Sequence, residues 1–202
     1  MRRTTTMLAV VGLLVALCAG AALAAEFIGT NDPETIVGTD RNDRIEGKGG
    51  GDALYGKGGK DRVRGGLGAD LIRGGTGADE PNFEIEPAVN GGLYGGPGGD
   101  RVEGQDGNDR VEGGAGSDLL LGGEDSDVLG DGLGKDSVYG GSGADNLIGQ
   151  DGLDHLFGGR GADLVQAKNI PAVQDFVNCG PGTDTVSADR ADIVNDDCER
   201  VN

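Results

Sequence analysis

Along most of the 202-residue chain an aspartate returns at a nine-residue interval: Asp43, Asp52, Asp61, Asp70 and Asp79, then Asp100, Asp109, Asp118, Asp127, Asp136, Asp145, Asp154 and Asp163. Carboxylates are hard oxygen donors, so a regular row of them suits a hard cation better than a soft one. Glycine dominates the five residues ahead of each aspartate, and six copies are complete as Gly-Gly-x-Gly-x-Asp, ending at Asp70, Asp79, Asp100, Asp118, Asp145 and Asp163. A turn this tight demands positive φ, which a Cβ penalises. The units ending at Asp109 and Asp154 keep the first and fourth glycines, whereas those ending at Asp43 and Asp127 lack the fourth and are expected to form weaker turns.

These turns need elements to hold them. Two residues after twelve of the thirteen aspartates stands an aliphatic side chain, from Ile45 and Leu54 through to Leu156 and Val165. Asp79 is the exception, being followed by Pro81, and Leu93 comes later without its aspartate. Nine residues divide into a six-residue turn and a three-residue strand whose central aliphatic residue points inward. One such strand is too short to stand alone, but stacked strands share a continuous core. Collagen is excluded because the glycine period is nine rather than three and the chain has only six prolines. A flexible glycine linker would not hold an aliphatic residue at one phase of nine.

The units resemble the RTX, or haemolysin-type, calcium-binding nonapeptide Gly-Gly-x-Gly-x-Asp-x-U-x, with U a large aliphatic residue, over about residues 29–166. That resemblance implies an all-β fold, a right-handed parallel β-roll with calcium in its turns, in which two nonapeptides complete one coil. Aspartates 18 residues apart then lie one layer above each other, about 4.8 Å apart. Unneutralised, each pair would repel by about 1 kcal/mol in water and about 3 to 4 kcal/mol at an effective dielectric near 20. A cation is therefore needed for folding, and calcium suits flexible sites of six to eight oxygens. Zinc or copper would want imidazole or thiolate, and the chain has one histidine. The 18-residue spacing gives candidate pairs 43/61, 52/70, 61/79, 100/118, 109/127, 118/136, 127/145, 136/154 and 145/163. Pairs 100/118 and 145/163 are the best formed, and those using Asp43 or Asp127 the poorest.

Two interruptions organise the chain. Asp79 and Asp100 are 21 residues apart, as are Asp163 and Asp184. The expected layout is a signal peptide at 1–25, an N-terminal stack at 26–79, an inserted loop at 80–92, a C-terminal stack at 93–166 and a cap at 167–202. Within the first segment, Arg2 and Arg3 precede an apolar run and Ala22-Leu23-Ala24 offers a cleavage site, the arrangement of a secretory signal, with an uncleaved membrane anchor as the alternative. Cys18 would leave with it, and Cys179 and Cys198 in an exported chain read as one disulfide, worth about 3 kcal/mol, against the alternative of two free thiols. The tail from Cys179 to Val201 resembles the cysteine-bearing ends of secreted Gram-positive, especially actinobacterial, repeat proteins, and would cover an otherwise open strand edge.

The net charge of −18 disfavours nucleic acid and anionic membrane surfaces and favours cations as partners, and no membrane insertion is expected once the signal is removed. No Gly-x-Ser-x-Gly or His-Glu-x-x-His motif is present, and His155 falls at an outward strand position, so no enzyme is expected. The expected function is that of a secreted, extracellular calcium-binding repeat protein with a structural or scaffold role. One alternative is calcium-dependent adhesion or self-assembly, for which outward Leu121, Tyr139 and Phe157 offer an apolar patch, unless residues 167–178, with Ile170, Pro171, Val173 and Phe176, cover it. A second is an accessory to an extracellular hydrolase system.

Overall fold

The computed structural model describes residues 24–79, 92–167 and 173–201. The expected signal at 1–25 therefore lies outside the described residues except for its last two, and the loop expected at 80–92 except for Gly92.

The described residues contain strands and turns only. Each unit sends a strand across the molecule, turns at its glycines and returns on the opposite side, so successive units alternate between two sheets of eleven and nine strands. All pairings are parallel, and the coils form a right-handed solenoid of about eight turns, the β-roll expected from the sequence. Register follows the 18-residue coil: Ile45 faces Val63, Leu54 faces Ile72, and Val138 lies between Leu120 and Leu156.

Side-chain alternation along each strand fills the interior with one aliphatic residue per unit. Ile45, Leu54, Val63, Ile72, Leu93, Val102, Val111, Leu120, Leu129, Val138, Leu147, Leu156 and Val165 form this column, each essentially fully buried. No aromatic stands in this column, which Phe27 closes at its amino end, and the glycine turns keep the edges narrow enough for these small side chains to fill it.

The two interruptions leave the sheets intact. Val63 pairs with Leu93 and Ile72 with Val102, a step of 30 residues in place of 18, so the stacks expected on either side of 80–92 are joined through common sheets. Leu93 takes the next core position of the sheet that holds Val63. Beyond Val165 the tail also continues the roll: Leu156 pairs with Val177 and Val165 with Val186, and these pair in turn with Val194 and Val201. Cys179 is buried in line with the core and bonded to Cys198, the disulfide expected from the sequence.

Candidate metal centre

All thirteen repeat aspartates are buried, none more than 4 % exposed. The backbone places them there: each closes a turn whose glycines sit at left-handed φ, as Gly66 and Gly68 do ahead of Asp70 at 113° and 127°. The same conformation is forced on non-glycine residues where the motif has decayed, at Lys48, Lys57, Gln105 and Asp125, with φ of 75–89°. Asp125 occupies the fourth position of the turn ending at Asp127, so the turn expected to be weaker is built with the same left-handed bend.

One oxygen of each carboxylate belongs to the fold. Asp61 Oδ1 accepts the backbone N–H of Asp43 at 2.8 Å, and Asp118 Oδ1 that of Asp100 at 2.8 Å. The pattern repeats through 52/70, 61/79, 109/127, 118/136, 127/145, 136/154 and 145/163 at 2.7–2.9 Å. It also bridges the insertion through 70/100 and 79/109, two pairings that the 18-residue rule omits.

The other oxygen is left over. Oδ2 of Asp52, Asp61, Asp70, Asp79, Asp100, Asp118, Asp127, Asp136, Asp145, Asp154 and Asp163 is buried and accepts no hydrogen bond from the described residues. Except at Asp136 and Asp154, each is aimed back at the first glycine of its own turn. A Cβ on Gly47 would collide with Asp52 Oδ2 and with the carbonyl of Gly65 in the next layer, and Gly56, Gly65, Gly74, Gly95, Gly122, Gly140 and Gly158 repeat this pairing of a carboxylate oxygen with a carbonyl. An orphaned buried carboxylate oxygen is among the costliest groups a fold can hold. A cradle of carboxylate and carbonyl oxygens with no donor is what calcium neutralises, and these residues fit it.

Electrostatics agree. Burial pushes the carboxyls of Asp61, Asp100 and Asp127 from the ordinary 3.8 to about 7, with repulsion from ladder neighbours adding to it and the backbone N–H bonds opposing it. Burial likewise takes Asp79, Asp136 and Asp145 to about 6 and raises Asp52, Asp70, Asp118, Asp154 and Asp163. With neither a proton nor a cation, the ladder is unfavourable at neutral pH.

Asp43 stands apart. Its Oδ2 already accepts the backbone N–H of Thr39 at 2.6 Å and the Thr39 hydroxyl at 2.9 Å. One nonapeptide earlier, on the roll's other side, Glu34 is held in the same way by the N–H and hydroxyl of Thr30. Threonine thus closes the first two turns, and their carboxylates lack an oxygen for a cation.

Several members of the ladder escape the nonapeptide pattern. Asp175 Oδ1 accepts from Asp154 N–H, Asp184 Oδ1 from Asp163 N–H, and Asp192 and Glu199 accept in turn from Asp175 and Asp184. Burial raises the Asp175 carboxyl to about 6. A signal for Asp175 was present, since Val177 follows two residues later and is buried, but no glycine turn announces it. Asp131, wholly buried and in place of a first glycine, was also missed.

No individual curated protein matches the chain. A family profile described as the RTX calcium-binding nonapeptide repeat matches in four copies, at residues 28–63, 46–80, 94–129 and 131–165. Together these span more than half of the sequence, and the chain belongs to the RTX calcium-binding nonapeptide repeat family.

Proposed function

We propose that the protein is exported, remains unfolded while calcium is scarce, and folds outside the cell around calcium ions held by the aspartate ladder, where it serves as a structural or scaffold module without catalytic activity. The ligands are Oδ2 of the repeat aspartates together with carbonyls of the glycine turns, with Asp175 and Asp184 extending the series and Asp43 contributing least. The observation that carries this reading is the row of buried, unpartnered Oδ2 atoms facing carbonyls across the turns. Metal affinity then acts as folding free energy. Circular dichroism of the mature chain tests it: little β-structure in chelator at neutral pH and recovery in millimolar calcium are expected, and one spectrum in both conditions would overturn the proposal.

A second reading, self-association or adhesion, has its own observation. On the outer face of the nine-stranded sheet Leu121, Tyr139 and Phe157 lie in register, with the Tyr139 and Phe157 rings stacked at 4.6 Å. Phe176 lies beside Phe157 in the next strand, 5.9 Å between centroids, and so widens the patch instead of covering it. Ile170 and Pro171 lie outside the described residues. Replacing Tyr139 and Phe157 with serine should lower oligomer size in calcium, measured by sedimentation; an unchanged size removes this reading.

A further inference from the structure

One unit breaks the rule that the rest obey. Of the thirteen nonapeptide turns, twelve carry glycine at the first position and the remaining one carries Asp131. In eleven of those twelve turns the glycine faces Oδ2 of its own aspartate and a neighbouring carbonyl with no space for a Cβ, and the twelfth, Gly149, faces Oδ2 of Asp131 instead. Here a second carboxylate enters the cradle. Asp131 is wholly buried, and its Oδ1 is fixed by the backbone N–H groups of Gly132 and Gln150, each at 2.8 Å. Between the pairings of Gly130 with Ile148 and of Leu133 with Asp151, the pairing of residues 132 and 150 that other layers make is missing, and the N–H of Gln150 goes to Asp131 Oδ1.

Oδ2 of Asp131 has no hydrogen-bond partner among the described residues, and the same is true of Oδ2 of Asp136 and Asp154. Ligand oxygens of these three residues lie within 4.8 Å of one another. Two independent facts therefore meet at one place: three carboxylates converge, and each presents a buried oxygen with nothing bound to it. Among the described residues no tyrosine, lysine or arginine donates to these three oxygens, so at a pH where the carboxylates are ionised a cation is what satisfies them.

We propose that Asp131, Asp136 and Asp154 form a distinct three-carboxylate calcium site that fills before the other sites of the roll. The inference rests on the calcium reading above and adds an order of filling to it. Carboxylate count is a principal determinant of calcium affinity, and an ordinary layer of the roll offers two aspartates where this one offers three. Because the site holds two successive layers of one edge together, its occupation fixes their register before the remaining turns close.

Isothermal titration of calcium into the full mature chain tests the proposal, using Asp131→Gly, which restores the residue found in the other turns, and Asp131→Asn, which keeps the shape and removes the charge. The wild type should show one ion bound at least about tenfold more tightly than the rest, and both variants should lose that step while the weaker steps persist. Asp145→Asn serves as a comparison and should spare the tight step. A tight step retained in both Asp131 variants, or a wild-type isotherm of equal steps, overturns the ordered site while leaving calcium-dependent folding intact. A wild-type chain that binds no calcium overturns both readings together.

Discussion

The turns ending at Asp43 and at Asp61 occupy the same edge of the roll, one coil apart, and place their aspartates in equivalent backbone positions. They differ in what satisfies the second oxygen. Thr39 donates its N–H and hydroxyl to Asp43, whereas nothing among the described residues donates to Oδ2 of Asp61. A threonine two residues into the turn makes a carboxylate self-sufficient, and a left-handed residue there leaves it dependent on something brought from solution. The first coil is therefore finished by its own sequence, and the interior coils are finished by a cation.

The largest expected effect separates the two regions by pH in the absence of calcium. Folded-state carboxyls at about 6 to 7, raised from the ordinary 3.8, mean that the folded chain binds protons more readily than the unfolded one. Stability from this source is complete below about pH 4 and is lost as pH rises through 6 to 7. In chelator, circular dichroism should report a roll near pH 4 that melts out by about pH 8, and calcium should restore it at the higher pH. A chelated chain equally folded at both would break the comparison.

Next in size is the covalent closure of the cap. Replacing Cys179 and Cys198 with serine should cost about 3 kcal/mol by denaturant melting in calcium, without changing the number of ions bound. Smaller effects come from the ladder itself. Asp100→Asn should cost about 1 to 3 kcal/mol in calcium but nothing in chelator at pH 5, below the value of about 7 to which burial raises its carboxyl, whereas Asp43→Asn should cost about 1 kcal/mol in both conditions by leaving one backbone N–H without its acceptor. Smallest in energy but sharpest in logic is the exchange of turns: Thr39→Gly with Arg41→Gly should release Asp43 and raise the calcium stoichiometry by one.

Much of this was legible from residue types. The phase between glycine, aspartate and aliphatic residue prescribes a turn, a buried carboxylate and a core position, and Ile45 through Val165 occupy the column that phase assigns them. What spacing alone conceals is hydrogen bonding. Stacked carboxylates read from the sequence as a simple repulsion, yet one oxygen of each is engaged by the backbone of the preceding layer, so beyond Asp43 only half of each group awaits a cation. The 18-residue rule also fails at 70/100 and 79/109, because strand pairing spans an insertion of any length that returns the chain to the same sheet. Asp175 was concealed by the lack of glycine around it and Asp131 by standing where the pattern places a glycine.

The ladder between layers runs one way. The N–H of each ladder aspartate points forward along the chain to a carboxylate in the following layer, so the amino end of the roll presents donors and the carboxyl end must furnish acceptors, a task that falls to Asp192 and Glu199. Both ends are therefore indifferent to how many coils lie between them. Loss or gain of eighteen residues leaves each end facing its proper neighbour, whereas a change of nine would seat the last strand on the wrong sheet. The chain is built to vary in length by whole coils, with its closing pieces interchangeable among rolls of different sizes.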